Sequence, residues 1–97
     1  MGTSSLSKNN LERTNVLVEL IREIGAVDED DLDFSVTVDL FDYGYLDSFG
    51  IVELITLAQE KFGTDLSDTD FYGGDVRTIE KISSHIGELL SQENADG

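Results

Sequence analysis

The sequence predicts an all-α fold, a three-to-four-helix bundle with a long first crossover loop. Two observations carry that prediction: three apolar stripes recur at helical spacing, and no pair of alternating segments is present to build a sheet. A third is the length of 97 residues, which leaves room for one core and no second. Leu11, Leu17, Leu20, Ile21 and Ile24 form the first stripe, with Gly25 as its stop signal. Phe49, Val52, Ile55, Ala58 and Phe62 form the second, closed by Gly63. Ile79, Ile82, Ile86, Leu89 and Leu90 form the third and cleanest, with Thr78 placed to cap it. Each helix is amphipathic and able to bury one face.

The segments between and around the stripes are read by their composition. Residues 1–10 are polar, rich in Ser and Asn and aperiodic, and residues 92–97 are similar, so both are expected as flexible tails flanking a domain over 11–91. Ala26 to Asp47 is long for a structureless loop. Val27, Leu32, Phe34, Val36, Val38, Leu40 and Phe41 are candidate anchors that tie it down. Val36-Thr37-Val38 alternates like a strand but has no partner elsewhere, so a packed loop is expected. Thr64 to Arg77 holds Phe71 and Tyr72 before Gly73-Gly74, consistent with a short helical turn around Asp68 to Tyr72.

Charge narrows the function classes. Asp and Glu number 21 against six Lys and Arg, a formal charge of −15. A chain this acidic is repelled by phosphate backbones and anionic membrane surfaces, so neither nucleic acid nor a membrane is expected as a partner. Cysteine is absent and His85 is the single histidine, which removes disulfides, thiolate and histidine metal sites, and a thiol nucleophile. No apolar run reaches the length of a membrane span, the N-terminus does not read as a signal peptide, and Leu6 stands where a myristoylation signal needs Ser or Thr. The expectation is a cytoplasmic monomer without a metal. From Ala26 to Glu60 there is no Lys or Arg, and Asp28 to Asp33 is the densest acidic run. That run does not satisfy an EF-hand: from Asp28, position 6 is Asp33 and position 12 is Asp39. A solvated acidic surface is one reading. A face that docks on positively charged enzymes is the other.

The informative stretch is Leu46-Asp-Ser-Phe-Gly-Ile-Val-Glu-Leu54, at the head of the second helix. Asp47 or Ser48 is expected as its N-cap, since both residue types satisfy orphan N–H groups. A hydrolase serine is a poor fit: the G-x-S-x-G elbow has Leu46 in place of its first glycine, and a triad would have to recruit His85. A third possibility is that Ser48 accepts a phosphoryl-linked group, because a helix N-terminus favours phosphate on that oxygen.

These residues resemble the prosthetic-group attachment motif of acyl carrier proteins, and the resemblance extends over roughly Leu11 to Leu90. In that family a serine after aspartate at the start of the second helix bears 4′-phosphopantetheine, derived from coenzyme A and covalently attached. The resemblance implies an acyl carrier protein-like fold, with 11–91 as the carrier domain, Ser48 as the attachment residue and Asp47 as its motif partner. It also implies that Glu53 faces partner enzymes. Helical spacing places Phe49, Leu57 and Glu60 with Glu53 beside the arm, so Asp47, Phe49, Glu53, Leu57 and Glu60 form the expected recognition face.

Leu-Asp-Ser-Phe-Gly-x-Val-Glu-Leu looks most like the D-alanyl and related aminoacyl carriers, as do Phe41 with Gly44 and Phe71 before Asp75-Val76. Fatty-acid carriers usually have Asp-Ser-Leu followed by a polar or acidic residue, where this chain has Gly50, and often Met at the position of Thr56. The implied function is a non-enzymatic carrier of a thioester-bound aminoacyl or small acyl group. Its implied partners are a phosphopantetheinyl transferase, an adenylating ligase or acyltransferase that loads the arm, and a downstream acyl-accepting enzyme. A fatty-acid or polyketide carrier is the alternative within the family. An acidic interaction module in which Ser48 only caps a helix is the alternative outside it.

Overall fold

The computed structural model describes residues 2–73 and 76–96, and the side chains of 11–73 and 76–92. Among the described residues three helices follow one another: α1, Gly2–Ile24; α2, Ser48–Phe62; and α3, Ile79–Asp96. No strand occurs among the described residues, and Val36 to Val38 lies in a packed loop. The all-α expectation therefore resolves, among the described residues, to three helices. The expected helical turn at Asp68 to Tyr72 is instead two hydrogen-bonded turns, one closed by Thr69 N–H to Leu66 O (3.0 Å) and one by Gly73 N–H to Asp70 Oδ1 (2.9 Å). Gly74 and Asp75 lie outside the described residues.

α1 packs against both α2 and α3. Leu17, Leu20 and Ile21 of α1 meet Ile79, Ile82 and Ile86 of α3 and Ile51, Leu54 and Ala58 of α2 in one core. The connecting segments add Leu40, Leu46, Leu66, Phe71 and Val76, so a large share of the core comes from loops. Burying such side chains is the main force that holds so short a chain together. Helix ends follow local chemistry. Thr78 Oγ1 accepts from Lys81 N–H (3.1 Å), the cap the sequence predicts for α3. Gly63 closes α2 in the left-handed conformation, φ 69°, which glycine adopts without Cβ strain.

Two readings from periodicity change. α1 and α3 extend to Gly2 and Asp96, through stretches whose composition reads as tails. Lengthening an existing helix needs no new nucleus, and the sequence contains no proline to stop it. The second change concerns which face of α2 is inside. Phe49 and Val52 belong to the stripe expected in the core, yet they are 81% and 63% exposed. Gly50, Ile51, Leu54 and Ala58 are buried instead, while Ile55 and Phe62 are half-buried. α2 has apolar residues at most of its first eleven positions, so two stripes fit the spacing. The one containing the smallest residues, Gly50 and Ala58, is turned toward α1.

Among the candidate loop anchors, Leu40 is fully buried and Phe34, Val36, Val38 and Phe41 pack against the core. Leu32 is not an anchor: it is 97% exposed at the tip of the acidic run. Its acidic neighbours Glu29, Asp30 and Asp33 are also exposed, and a turn made of charged residues gives leucine nothing to pack on.

Candidate functional site

The head of α2 is built by its cap. Asp47 is extended (φ −128°, ψ −172°), and its Oδ1 accepts the Gly50 N–H at 2.8 Å. Its carbonyl accepts Ile51 N–H at 2.9 Å. Of the two candidate caps, Asp47 is therefore the one used. Ser48 is the first residue of the helix, and its side chain is exposed. The remaining first-turn N–H groups have no acceptor within the helix, and the dipole end is positive there. An exposed hydroxyl at this point fits a phosphoryl link: it is open to an incoming enzyme, and the negative charge gained sits where the helix favours it.

The loop leading to Ser48 is held from several sides. Leu46, buried to 3% exposure, anchors the residue before the cap. The Leu40 carbonyl accepts from both Tyr45 N–H (2.8 Å) and Leu46 N–H (3.1 Å), while Leu40 N–H donates to the Arg77 carbonyl (2.8 Å). The Tyr45 carbonyl lies directly on Gly25, where a Cβ would collide with it, so the end of α1 supports this loop. Tyr45 also donates its phenol to Asp31 Oδ2 at 2.8 Å and meets the Phe34 ring edge-on at 5.1 Å. Burial of the phenol, reinforced by the Asp31 carboxylate, pushes Tyr45 up to about 12.

Arg77 fastens the opposite side of the crossover. Its Nε donates to Asp39 Oδ2 at 2.7 Å, its second terminal nitrogen lies 3.4 Å from Asp42 Oδ1, and the guanidinium sits 4.9 Å from the Phe41 ring centre. Asp39 Oδ1 accepts the backbone N–H of Phe41 (3.0 Å) and Asp42 (2.9 Å). The Arg77 hydrogen bond foremost, and then the Asp42 N–H, hold the Asp39 carboxyl below its ordinary value. Between Ala26 and Arg77 the sequence holds one other base, Lys61, and that scarcity is the sequence signal for this latch, although spacing alone does not say which acids it meets.

The exposed face of α2 collects Phe49, Val52, Glu53, Thr56 and Glu60, beside Asp47 and Ser48. Four expected recognition residues, Asp47, Phe49, Glu53 and Glu60, are thus brought to one accessible surface, with Val52 added to them. Leu57 differs: it is half-buried and packs against the core. His85 is kept apart from this surface. Its Nε2 is 3.0 Å from Thr69 Oγ1, and the shallow groove of about 450 Å³ around it is lined by Thr69, Asp70, Val76, Lys81, Ser84, His85 and Glu88. Ser48 does not reach that groove, so no Ser48–His85 pair forms. Among the described residues, no group of three His, Asp or Glu side chains is arranged to hold a metal. No helix of the described residues is long and apolar enough to cross a membrane.

Comparison with known proteins agrees with this geometry. Residues 15–86, well over half the chain, match the family described as a phosphopantetheine attachment site. A D-alanyl carrier protein of Streptococcus suis (strain 05ZYH33) is 36% identical over 76 residues, which cover 78% of this chain and 87% of that protein. The matched segment takes in the first stripe from Leu17, the whole second stripe, the third as far as Ile86, the long crossover and the capped head of α2. The chain belongs to the family of carrier proteins that bear covalently attached 4′-phosphopantetheine.

Proposed function

We propose that Ser48 bears the phosphopantetheine arm and that the chain is an aminoacyl carrier, passing a small amino acid between enzymes without catalysing a reaction itself. The observation that carries the reading is the exposed Ser48 hydroxyl on the first residue of α2, with Asp47 capping that helix. When attached, the arm supplies a thiol that holds cargo as a thioester, chemistry the cysteine-free chain lacks. The residues of the chain provide position and recognition. Asp47 holds the first turn in shape, and Phe49, Val52, Glu53 and Glu60 present apolar and acidic groups next to the arm. Partners with matching bases and a small apolar contact are a phosphopantetheinyl transferase, an adenylating ligase and a downstream acceptor enzyme.

The likeness to a D-alanyl carrier supports an amino acid as cargo. Residues 11–91 are the carrier unit in this reading, working as a cytoplasmic monomer. Transient encounters suit a small charged face better than a large apolar interface. Intact mass before and after incubation with coenzyme A and a phosphopantetheinyl transferase tests the attachment. Wild type is expected to gain one arm and Ser48→Ala none. Modification of the alanine variant, or of a different serine in wild type, overturns the assignment. Thioester loading with a panel of adenylating ligases and amino acids then identifies the cargo.

A further inference from the structure

The first turn of α2 rests on the last residue of α1 through a glycine. A Cβ at Gly50 would lie 2.9 Å from Cγ2 of Ile24 and 2.9 Å from Cδ1 of Leu46, closer than carbon atoms pack. The two obstacles are unequal. Leu46 Cδ1 is the free end of a side chain and can swing. Ile24 Cγ2 is fixed to a β-branched carbon, and moving it means changing a stiff χ1 on the helix that supports the site. Gly50 itself has little freedom to retreat, because its N–H is the donor to Asp47 Oδ1 at 2.8 Å. A methyl group at this position is therefore relieved by lifting the first turn of α2 away from α1. Ser48 lies on that turn.

We propose that Gly50 is a positioning residue for arm attachment: its bare backbone seats the head of α2 on Ile24, and so sets where the transferase finds the Ser48 hydroxyl. The inference rests on the reading of Ser48 as the attachment residue. Helix propensity predicts the opposite behaviour, since alanine is a better helix former than glycine and would on that ground alone strengthen α2. Group transfer is sensitive to small displacements, and a misplacement of about 1 Å can cost on the order of a hundredfold in rate. A loss of about tenfold or more in attachment rate is accordingly expected for Gly50→Ala, with kcat reduced more than KM raised, because Glu53 and Glu60 lie beyond the first turn and keep their places.

The experiment uses the full chain as wild type, Gly50→Ala, Ile24→Ala and the double variant Gly50→Ala/Ile24→Ala. Initial rates of modification by a phosphopantetheinyl transferase with coenzyme A are read by intact mass. Amide hydrogen exchange of the first turn of α2 is read in the same four unmodified proteins. The expected result is slow attachment and faster first-turn exchange in Gly50→Ala, both returning toward wild type in the double variant, where the Ile24 methyl is gone. Wild-type attachment rates in Gly50→Ala overturn the inference, as does a slow rate that Ile24→Ala fails to relieve. If Gly50→Ala does not fold, the double variant decides. A folded and modified double variant supports the contact, whereas an unfolded or slowly modified one overturns it. If wild type takes no arm at Ser48, the attachment reading fails by itself. The exchange data then test the Gly50–Ile24 contact separately, supporting it if the double variant reverses the change and overturning it if not.

Discussion

Asp47 does two things that a pair of substitutions separates. Its Oδ1 accepts the Gly50 N–H at 2.8 Å, and its exposed carboxylate stands beside Ser48. Asp47→Ala removes both the cap and the charge, whereas Asp47→Asn keeps an oxygen acceptor and removes only the charge. Losing a cap of this kind costs about 1 kcal/mol. In a domain of this size that corresponds to a drop of roughly 4–8 °C in Tm. The charge–dipole contribution lost in Asp47→Asn is about 0.3–1 kcal/mol at low ionic strength, and salt screens it. Stability should therefore fall in the order wild type, Asn, Ala. The first gap should close as salt rises, because it is electrostatic, while the second persists because it is a hydrogen bond. Urea unfolding of the unmodified proteins, followed by far-ultraviolet circular dichroism at low and moderate salt, measures both gaps. An alanine variant as stable as the asparagine variant at either salt concentration would show that the cap bond does not hold the head of α2.

Three further outcomes are expected. Leu54→Ala should cost about 2–5 kcal/mol by urea unfolding, since Leu54 is fully buried. Val52→Ala, at 63% exposure, should stay within about 0.5 kcal/mol, and equal costs would contradict the orientation of α2. The Asp39 carboxyl is held below its ordinary value of 3.8 by Arg77, so the unfolded chain binds that proton more readily. Its stabilisation is complete above pH 3.8 and disappears as pH falls through the lower folded value. Asp39→Asn should accordingly flatten the acid limb of a stability–pH curve, and superimposable curves would remove the latch as its cause. Glu53→Lys should slow loading mainly through association, with a weaker salt dependence than wild type, while Glu88→Lys on α3 should change it less. Equal loading rates for wild type and Glu53→Lys at low salt would move recognition off this face.

The helices were legible because their stripes are periodic and their ends carry specific chemistry: Asp47 and Thr78 at two starts, Gly63 at one stop. The place of Ser48 at the head of α2 was legible because an aspartate–serine pair stands where the second stripe begins. The inward face of α2 was not, since apolar residues at 49, 51, 52, 54, 55, 57 and 58 fit two rotations equally well. What decides between them is the close approach of Gly50 to Ile24, a contact between helices that no local pattern encodes. The bonds of the crossover were hidden for a related reason. Arg77 has many acids within the sequence to choose from, and only the packed chain places Asp39 and Asp42 against it. The outer ends of α1 and α3 escaped detection because their sequence carries no apolar stripe.

The bond from Leu40 N–H to the Arg77 carbonyl has a consequence for the order in which the molecule is completed. The loop before Ser48 hangs on Leu40, and Leu40 hangs on a residue that follows α2 by a full connecting segment. Glu80 N–H to Val36 O, at 3.0 Å, ties the same loop to the start of α3. Such pairings join distant parts of the chain, and the loop between them must close before either bond contributes anything. The platform under Ser48 therefore lies in the middle of the sequence but near the end of folding. A chain emerging from its N-terminus can form α1 and begin α2 early, yet the ground on which Ser48 stands is not laid until Arg77 and the first turn of α3 have arrived.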